Sequence, residues 1–461
     1  MEIPLGLREY YKSQGLKLPE GDVVVRLRKS IYGIRQAAFT FYKCLTAALF
    51  NLGFKETTEP CLYARYEKET DSYSTVSIYV DDLVICFTDP AVRDQFKKDL
   101  AAQNELFRID DRGTVKHLLG VKVDYDRENG RFSLSQEAYI EKLAERFKLN
   151  EIDRQLVPMS KEDSMMFSKP AKWEQEQLKK GKTINNARCD ATKYKAVIGS
   201  ALHAIKWTRP DAMTAVFYEA TAMHAPTEDA LAVAMKTLRY MWDTRHLKLY
   251  YDCSKCEPTF TGYGDSDLAG WHNGRSRTGW FVKFGGANDR NAPICWYSKL
   301  QIPIYDNTPD SEQAALTELG HSVFWLRNLA HSCGFKGFNP LYLKNESMVS
   351  HARHQDGKAD ENASRDEIKL CEVFCDNEPT IKRCMKPGRW TAKRKVHINH
   401  TKSVEYTNPD SPLQICKLTH VKSAENQADI FTKIAENGAR ENWMTLRMRI
   451  MNLPTLRGYL T

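Results

Sequence analysis

Two adjacent aspartates, Asp81 and Asp82, interrupt a stretch of residues that otherwise has the composition of β-strands. Segments 76–80 and 83–87 on either side are rich in Val, Ile, Tyr and Phe, which are residues that strands prefer. Two strands separated by so short a junction must turn back on each other. The pattern therefore predicts a tight hairpin with the Asp-Asp pair as its turn.

Two interpretations of the Asp-Asp junction are open. Neighbouring carboxylates repel each other, and a turn with a purely structural role more often contains Asn-Gly or Asp-Gly. A divalent metal would remove the repulsion, because hard cations such as Mg²⁺ bind oxygen ligands and paired metals assist phosphoryl transfer. A solvated hairpin turn is the alternative, and the hairpin alone does not separate the two.

Segment 27–37, which reads Leu-Arg-Lys-Ser-Ile-Tyr-Gly-Ile-Arg-Gln-Ala, favours the first interpretation. Together with Tyr-Val-Asp-Asp at 79–82 it resembles the reverse transcriptase of copia-type retrotransposons, in which K-S-L-Y-G-L-K-Q-A precedes a Y-V-D-D hairpin. The resemblance implies an RNA-directed DNA polymerase that acts on a primer-template or an RNA–DNA hybrid. It also implies that Asp81 and Asp82 are catalytic ligands of Mg²⁺, with Mn²⁺ as a substitute, and that Gly33 and Gln36 contact nucleic acid.

The composition permits a polyanionic partner without requiring one. The formal charge is +8, which is a mild excess for 461 residues. No apolar run is long enough to span a bilayer, and the N-terminus lacks the pattern of a secretory signal. We therefore expect an intracellular protein of the cytoplasm or nucleus, without membrane contact, whose twelve cysteines are free thiols. Cys253 and Cys256 form a C-x-x-C pair with no second pair nearby, so we do not expect zinc there.

The length allows two or three domains, and we predict an α/β (α+β) fold. Because later segments resemble the same family, we expect a partial reverse transcriptase palm and thumb at 1–155, a linker and helical connection region at 156–255, and an RNase H-like mixed-sheet domain at 256–450. The polar segment 160–186 is expected to be a linker or exposed loop. The charged segment 345–368 is expected to be a disordered insertion.

Residues 115–147 predict a hairpin that leads into a helix. An Asn-Gly step at 129–130 separates two alternating runs, and Ser135 can cap a helix over 137–147. In the family the Leu-Gly stretch is the primer-positioning hairpin, so the resemblance implies that Leu119 and Gly120 contact nucleic acid. An ordinary hairpin packed on a helix is the alternative.

The third segment carries a second set of acidic residues. RNase H chemistry needs carboxylates that hold two Mg²⁺ ions about 4 Å apart. The resemblance implies that Asp265, Asp376 and Asp429 are catalytic metal ligands. Asp429 lies in Gln-Ala-Asp-Ile-Phe-Thr-Lys, the most specific of these motifs.

The fourth, helical ligand is less well defined. Counting back from Trp325 places Asp310 where the family has its catalytic Glu, so we assign Asp310 to the catalytic set. Glu312 is the alternative, although two residues further along a helix it points to a different face. Either acid can instead cap the helix or compensate its dipole. Asp267 would share a strand face with Asp265, and we favour a turn or capping role for it.

A basic segment with an interleaved Trp, residues 386–395, suits a nucleic-acid backbone. We assign Lys393, Arg394, Lys395 and His397 to nucleic-acid binding. A solvated basic loop is the alternative.

Segment 1–7 resembles a family segment that follows the first of three polymerase aspartates. We therefore expect an N-terminally truncated remnant of a Pol polyprotein, with an inactive polymerase and at best weak, Mg²⁺-dependent RNase H activity. A catalytically dead nucleic-acid-binding protein derived from the same element is the alternative.

Overall fold

The chain packs into two units, which are described separately. The computed structural model describes residues 5–17, 34, 36–103, 107–252, 256–286, 292–335, 338, 369–386, 398–411, 413–434 and 440–453. The first unit comprises Met1–Asp111 with Ser332–Gly334, and the second comprises Arg112–His331 with Phe335–Thr461. The insertion expected at 345–368 lies outside the described residues.

The first unit contains an antiparallel sheet with the strand order β1-β2-β3-β4. Its elements are the helices α1 (Leu5–Ser13), α2 (Ala37–Asn51) and α3 (Pro90–Gln103) and the strands β1 (Lys55–Glu56), β2 (Leu62–Glu67), β3 (Ser72–Tyr79) and β4 (Asp82–Phe87). Helices α2 and α3 share one core with the sheet, which includes Leu49, Phe54, Val76 and Phe96. Burial of these apolar side chains stabilises the unit.

The predicted hairpin at the Asp-Asp pair is confirmed as β3 and β4, but its turn is displaced by one residue. Tyr79 pairs directly with Asp82, so Val80 and Asp81 form the turn and Asp82 is the first residue of β4. Val80 has a φ of +57°, which is an unusual, strained conformation for a β-branched residue. A residue in this region is rare enough to suggest a functional constraint.

The second unit contains, in its described residues, two sheets and the helices α4 to α13. Its strands are β5 (His117–Leu118), β6 (Val121–Asp126), β7 (Arg131–Ser135), β8 (Leu249–Asp252), β9 (Phe260–Asp267), β10 (Arg277–Phe284), β11 (Ala292–Leu300), β12 (Cys371–Cys375) and β13 (Cys416–His420). Its helices are α4 (Glu137–Phe147), α5 (Lys161–Ser168), α6 (Pro170–Lys179), α7 (Ala191–Trp207), α8 (Met213–Ala220), α9 (Glu228–Asp243), α10 (Thr308–Ser332), α11 (Glu378–Met385), α12 (Ile398–Thr407) and α13 (Arg440–Ile450).

The predicted hairpins and helix at 115–147 are present. The turn between β5 and β6 consists of Leu119 and Gly120, both with positive φ (51° and 81°), as a two-residue type I′ turn requires. Helix α4 has the predicted bounds. The Oγ of Ser135 accepts a 3.3 Å hydrogen bond from the backbone N–H of Glu137, although Ser135 itself lies in β7.

The division between the units falls after Asp111, earlier than the boundary expected at residue 155. Strand β7 pairs with β8, so that Leu134 lies opposite Leu249 across more than a hundred residues of sequence. Helix α4 also packs against α9. Residues 117–147 therefore belong, by packing, with the helices that follow them.

The segment expected to be a linker, 160–186, instead contains two packed helices, and this prediction was wrong. Ser160 caps α5 by accepting a 3.0 Å hydrogen bond from the N–H of Asp163, and Pro170 lies in the first turn of α6. Phe167 and Trp173 are buried. Two large apolar side chains and two helix-start signals outweigh the high average polarity of the segment.

Helices α7 to α9 follow these two helices. Helix α7 ends before Pro210, because the residue before a proline disfavours the helical conformation, and the turn that follows contains a fully buried ion pair. The guanidinium of Arg209 donates to both carboxylate oxygens of Asp211 at 2.9 and 2.8 Å, and the hydroxyl of Tyr240 donates to Asp211 at 2.5 Å. Burial opposes ionisation of Asp211, but Arg209 more than compensates and lowers the pKa of Asp211 below its ordinary value.

The second sheet of this unit is mixed, with the order β11-β10-β9-β12-β13. Strands β9, β10 and β11 are antiparallel neighbours, whereas β12 is parallel to both β9 and β13. Three antiparallel strands, helix α10 and the parallel strand β12 thus follow one another along the chain. Cys371 and Cys375 are buried in the core against α10.

Helix α10 approaches the sheet closely because β9 carries glycines where the two meet. A Cβ at Gly262 would lie 3.0 Å from the Leu319 side chain, and one at Gly264 would lie 3.2 Å from the Leu316 side chain. Larger residues at these positions would push the helix outward. None of the helices in the described ranges has the length and apolarity needed to cross a bilayer.

Replacing Asp211 by Asn should destabilise the second unit by about 3–5 kcal/mol, because Arg209 would be left as an uncompensated buried charge. Chemical denaturation followed by circular dichroism measures this loss. The control is Glu378→Gln, which removes an exposed ion pair with Lys382 and should cost less than about 1 kcal/mol. Equal losses in the two variants would contradict a structural role for the buried pair.

Candidate metal centre

Four carboxylates from four separate elements gather at one end of the mixed sheet. Asp265 lies on the central strand β9 and is 1% exposed, and Asp376 follows directly after the neighbouring strand β12. Glu312 lies in the second turn of α10, and Asp429 begins the short 3₁₀ helix Asp429–Phe431. The structure thus brings together the predicted residues Asp265, Asp376 and Asp429.

The helical member of this group is Glu312 rather than Asp310. Ligand atoms of Glu312, Cys375 and Asp376 all lie within 4.8 Å of one another. One carboxylate oxygen of Glu312 accepts a 3.3 Å hydrogen bond from the backbone N–H of Ser266, directly next to Asp265. The assignment of Asp310 to the catalytic set is therefore corrected in favour of the alternative, Glu312.

Helical periodicity explains why Glu312 faces the sheet. Glu312, Leu316 and Leu319 are spaced by four and three residues, so they share one face of α10. Leu316 and Leu319 contact the glycines of β9, and Glu312 continues the same face toward the end of the strand. This spacing was visible in the sequence, whereas counting from Trp325 led to the wrong residue.

Asp310 instead stabilises the start of α10. Its backbone N–H donates to the side chain of Asn307 at 3.1 Å, and its carboxylate accepts from the side chain of Asn307 at 2.7 Å. Arg383 of α11 forms an ion pair with the same carboxylate. This reciprocal arrangement resembles a capping box, which was the structural alternative considered for this residue.

Burial and mutual repulsion disfavour ionisation of Asp265, Glu312 and Asp429. Burial raises the pKa of Asp265 to about 7, with Asp429 and Asp376 adding to the effect and Lys433 opposing it. Burial also raises the pKa of Glu312 well above its ordinary value, and the charges of Asp265 and Asp376 contribute. Together these groups form a site that a cation would stabilise.

Lys433 places one positive charge next to the carboxylates of the cluster. Its ammonium pairs with Asp429 one helical turn away and lies 3.8 Å from Oδ2 of Asp265, while the hydroxyl of Thr432 donates to the same oxygen. Lys433 therefore serves as a stand-in cation between two of the carboxylates. Neither residue was assigned a role from its sequence motif, although the i, i+4 spacing of Asp429 and Lys433 is a signal for such a pair.

The donor set fits a hard divalent cation. Oε2 of Glu312 is buried and has no hydrogen-bond partner among the described residues, which leaves a carboxylate oxygen available for a ligand. Carboxylate oxygens are the ligands that Mg²⁺ and Mn²⁺ prefer. Burial raises the pKa of the Cys375 thiol well above its ordinary value, and its sulfur accepts from the N–H of Asn377, so the thiol next to the site is neutral.

The other predicted site residues belong to other elements of the two units or lie outside the described residues. Asp81, Asp82 and Gln36 are exposed in the first unit, and Leu119 and Gly120 form the turn between β5 and β6 in the second. The expected metal and nucleic-acid roles of these residues remain predictions. Gly33, Lys393, Arg394, Lys395, His397 and Cys253 lie outside the described residues.

Replacing Lys433 by Met should increase the response of the protein to Mg²⁺. In EDTA the variant should melt at a lower temperature, because Asp265 and Asp429 lose their nearest cation. Added Mg²⁺ should then raise its melting temperature by more than it raises that of the wild type, since no ammonium competes for the carboxylates. Thermal melts over a Mg²⁺ titration measure both effects.

The control for this experiment is Lys417→Met, which removes an exposed lysine from β13 of the same sheet. It should leave the Mg²⁺-induced shift unchanged. A Lys433→Met variant that responds to Mg²⁺ no more strongly than this control would show that Lys433 does not compete with Mg²⁺ for the carboxylates.

Comparisons with known proteins agree with the resemblance seen in the sequence. Residues 12–161 match the family described as reverse transcriptase (RNA-dependent DNA polymerase). No solved structure matches the chain.

Curated relatives are similar over most of the chain. A retrovirus-related Pol polyprotein from transposon TNT 1-94 of Nicotiana tabacum is 26% identical over 91% of this chain and 28% of its own length. One from transposon RE1 of Arabidopsis thaliana is 24% identical over 92% of this chain and 25% of its own length. A putative transposon Ty5-1 protein of Saccharomyces cerevisiae is 27% identical over 60% of this chain and 82% of its own length.

The chain thus spans about a quarter of the length of the two plant polyproteins. Residues 12–161 thus match the reverse transcriptase family, and the similarity to retrotransposon Pol polyproteins extends over about nine-tenths of the chain.

Proposed function

We propose that residues 256–450 form an RNase H-type nuclease that cleaves the RNA strand of an RNA–DNA hybrid. The observation that carries this proposal is the convergence of Asp265, Glu312, Asp376 and Asp429 from four elements, with a buried oxygen of Glu312 left without a partner. The strand order β11-β10-β9-β12-β13 supports it, because it agrees with the mixed sheet expected of such a domain.

Each of these carboxylates is positioned by a different element of the fold. Asp265 is fixed by the central strand, Asp376 by the end of the parallel strand β12, and Glu312 by the helix that packs on both. Divalent cations, when bound, supply the charge that activates a water molecule and stabilises the leaving oxygen. The contribution of the chain is to hold these oxygens in place before the substrate arrives, so that little reorganisation is needed during the reaction.

The choice of a hybrid substrate follows from the relationship to reverse transcriptases. Copying RNA into DNA produces an RNA–DNA hybrid, and removal of the RNA strand requires a nuclease that recognises it. A helix of A-form character presents 2′-hydroxyls in a wide, shallow minor groove, which distinguishes the RNA strand from DNA. We therefore propose a hybrid duplex as the substrate, with Mg²⁺ or Mn²⁺ as the cofactor.

Cleavage of a labelled hybrid by the 461-residue chain tests the proposal, and paired variants test the assignment of the helical ligand. Glu312→Gln should reduce the Mg²⁺-dependent rate by roughly 10²-fold or more, because it removes a charge at the reacting centre. Asp310→Asn should stay within about tenfold of the wild type, since Asp310 pairs with Arg383 and Asn307 outside the cluster. Melting curves of both variants confirm that they are folded.

The outcomes separate the two candidate functions. A wild-type chain that binds the hybrid but cleaves neither strand with Mg²⁺ or Mn²⁺ would exclude the nuclease and favour the catalytically dead binding protein. A larger loss in Asp310→Asn than in Glu312→Gln would restore the first assignment of the helical ligand.

We also propose that this chain, assayed alone, does not synthesise DNA. A polymerase centre of this class needs several convergent carboxylates. Among the described residues, the one group of three potential ligands in close contact is Glu312, Cys375 and Asp376, not the exposed pair Asp81 and Asp82.

Primer extension on an RNA template with Mg²⁺ or Mn²⁺ should therefore give no full-length product. The same assay with Asp81→Asn is the control. Full-length product that disappears in this variant would show an active polymerase and overturn the proposal.

A further inference from the structure

A cavity of about 490 Å³ opens beside the acidic cluster, within the second unit. The residues that line it include Asp267, Asp429 and Lys433. Residues of α5 and α6, the helices that replace the expected linker, and Trp443 of α13 also line it. The proposed function gives α5 and α6 no role.

The segment of α5 and α6 contributes three lysines to the cavity. Lys161, Lys169 and Lys172 all line the cavity, and all three are exposed. Lys172 pairs with Glu176 at 3.9 Å, but this is a solvent-exposed pair one turn apart on a helix, which contributes little and exchanges readily. We refer to these three residues as the lysine wall.

The lysine wall is held in a defined position relative to the carboxylates. The N–H of His272, in the loop that follows β9, donates a 2.6 Å hydrogen bond to the backbone carbonyl of Ser168 at the end of α5. Tyr218 of α8, which also lines the cavity, packs on Trp271 and receives the guanidinium of Arg277 over its ring at 4.3 Å. These contacts join α5 and α8 to the loop after β9 and to the start of β10. Asp265 lies near the same end of β9.

A cavity lined by both carboxylates and lysines, in which Lys161 and Lys169 oppose the rise that burial causes in the pKa of Asp267, selects for a particular ligand. A small free anion would gain from the lysines but be repelled by Asp267 and Asp429. A polyanion can interact with both kinds of side chain. One of its phosphates lies at the metal-binding carboxylates, while neighbouring phosphates lie against the lysines. A nucleic-acid strand, with one charge about every 3.4 Å of helix axis, has this repeat.

We propose that the lysine wall binds backbone phosphates of the hybrid substrate next to the scissile position, and so positions the strand across the acidic cluster. This inference rests on the nuclease proposed above, and it assigns to α5 and α6 a share of substrate binding that the mixed sheet alone does not supply. Phosphate contacts of this kind fix register and affinity but carry no sequence information.

The test compares two triple variants of the full chain with the same change of charge. The first, Lys161→Gln/Lys169→Gln/Lys172→Gln, removes the lysine wall. The control, Lys179→Gln/Lys193→Gln/Lys195→Gln, removes three exposed lysines of α6 and α7 that do not line the cavity. Binding of a fluorescent RNA–DNA hybrid is measured by anisotropy over a range of salt concentrations, with Ca²⁺ in place of Mg²⁺, and cleavage is measured separately with Mg²⁺ at saturating hybrid.

The wall variant should bind the hybrid at least about tenfold more weakly than the control at low salt. The slope of log affinity against log salt should fall by about 0.9 for each lost contact, or about 2.7 in all. Its single-turnover cleavage rate at saturating hybrid should fall below that of the control, because a strand that the lysines no longer position lies less often across the carboxylates.

The results distinguish failure of this inference from failure of the nuclease. Equal affinity and equal salt slope in the two variants, with cleavage intact, would overturn the lysine wall and leave the nuclease standing. Weaker binding in the wall variant of a chain that does not cleave would overturn the nuclease and support the wall as a phosphate-binding surface. No binding of the hybrid by the wild type would overturn both.

Discussion

The central position of β9 in the mixed sheet determines the arrangement of the candidate site. This strand pairs with β10 on one side and with β12 on the other, so that it links residues more than a hundred positions apart in sequence. Because Asp265 lies near its end and Asp376 follows its parallel neighbour, the sheet itself brings the two carboxylates together. The glycines of β9 then admit α10 closely enough for Glu312 to reach them. A sheet with β9 at its edge would leave Asp265 exposed and without these neighbours.

Buried carboxylates of the second unit have two different electrostatic environments. Asp211 has a bidentate arginine and a tyrosine hydroxyl, and its low pKa reflects a carboxylate whose charge is fully compensated. Asp265 and Glu312 face other acids, and one oxygen of Glu312 has no partner. The first arrangement stabilises the fold around the connection helices. The second costs stability unless a cation is bound, which is the pattern expected of a site that evolved for a ligand.

Local sequence signals predicted the local structure well. The hairpin of β3 and β4, the hairpin of β6 and β7 around Asn129 and Gly130 and the bounds of α4 follow from strand composition, turn residues and capping, which act over a few residues. The errors occurred where average composition was used in place of these signals. Segment 160–186 is polar on average, yet Ser160, Pro170 and the buried Trp173 are sufficient to define two helices. The hairpin turn was displaced by one residue, because pairing of Tyr79 with Asp82 places the unusual conformation on Val80.

The sequence by itself determined the order of the acidic motifs and the family that they resemble, because each motif is a short run of residues that can be recognised without knowledge of the fold. It identified Asp265, Asp376 and Asp429 as candidates for one site. Only the tertiary structure decided between Asp310 and Glu312, since the choice depends on which face of α10 packs against β9 and on the partner, Arg383, that α11 provides for the other acid. It also placed Lys433 next to Asp265 and Asp429 and brought the lysine wall to the cavity that Asp429 lines. Distances between residues remote in sequence arise from packing of helices and strands, and no local pattern contains them.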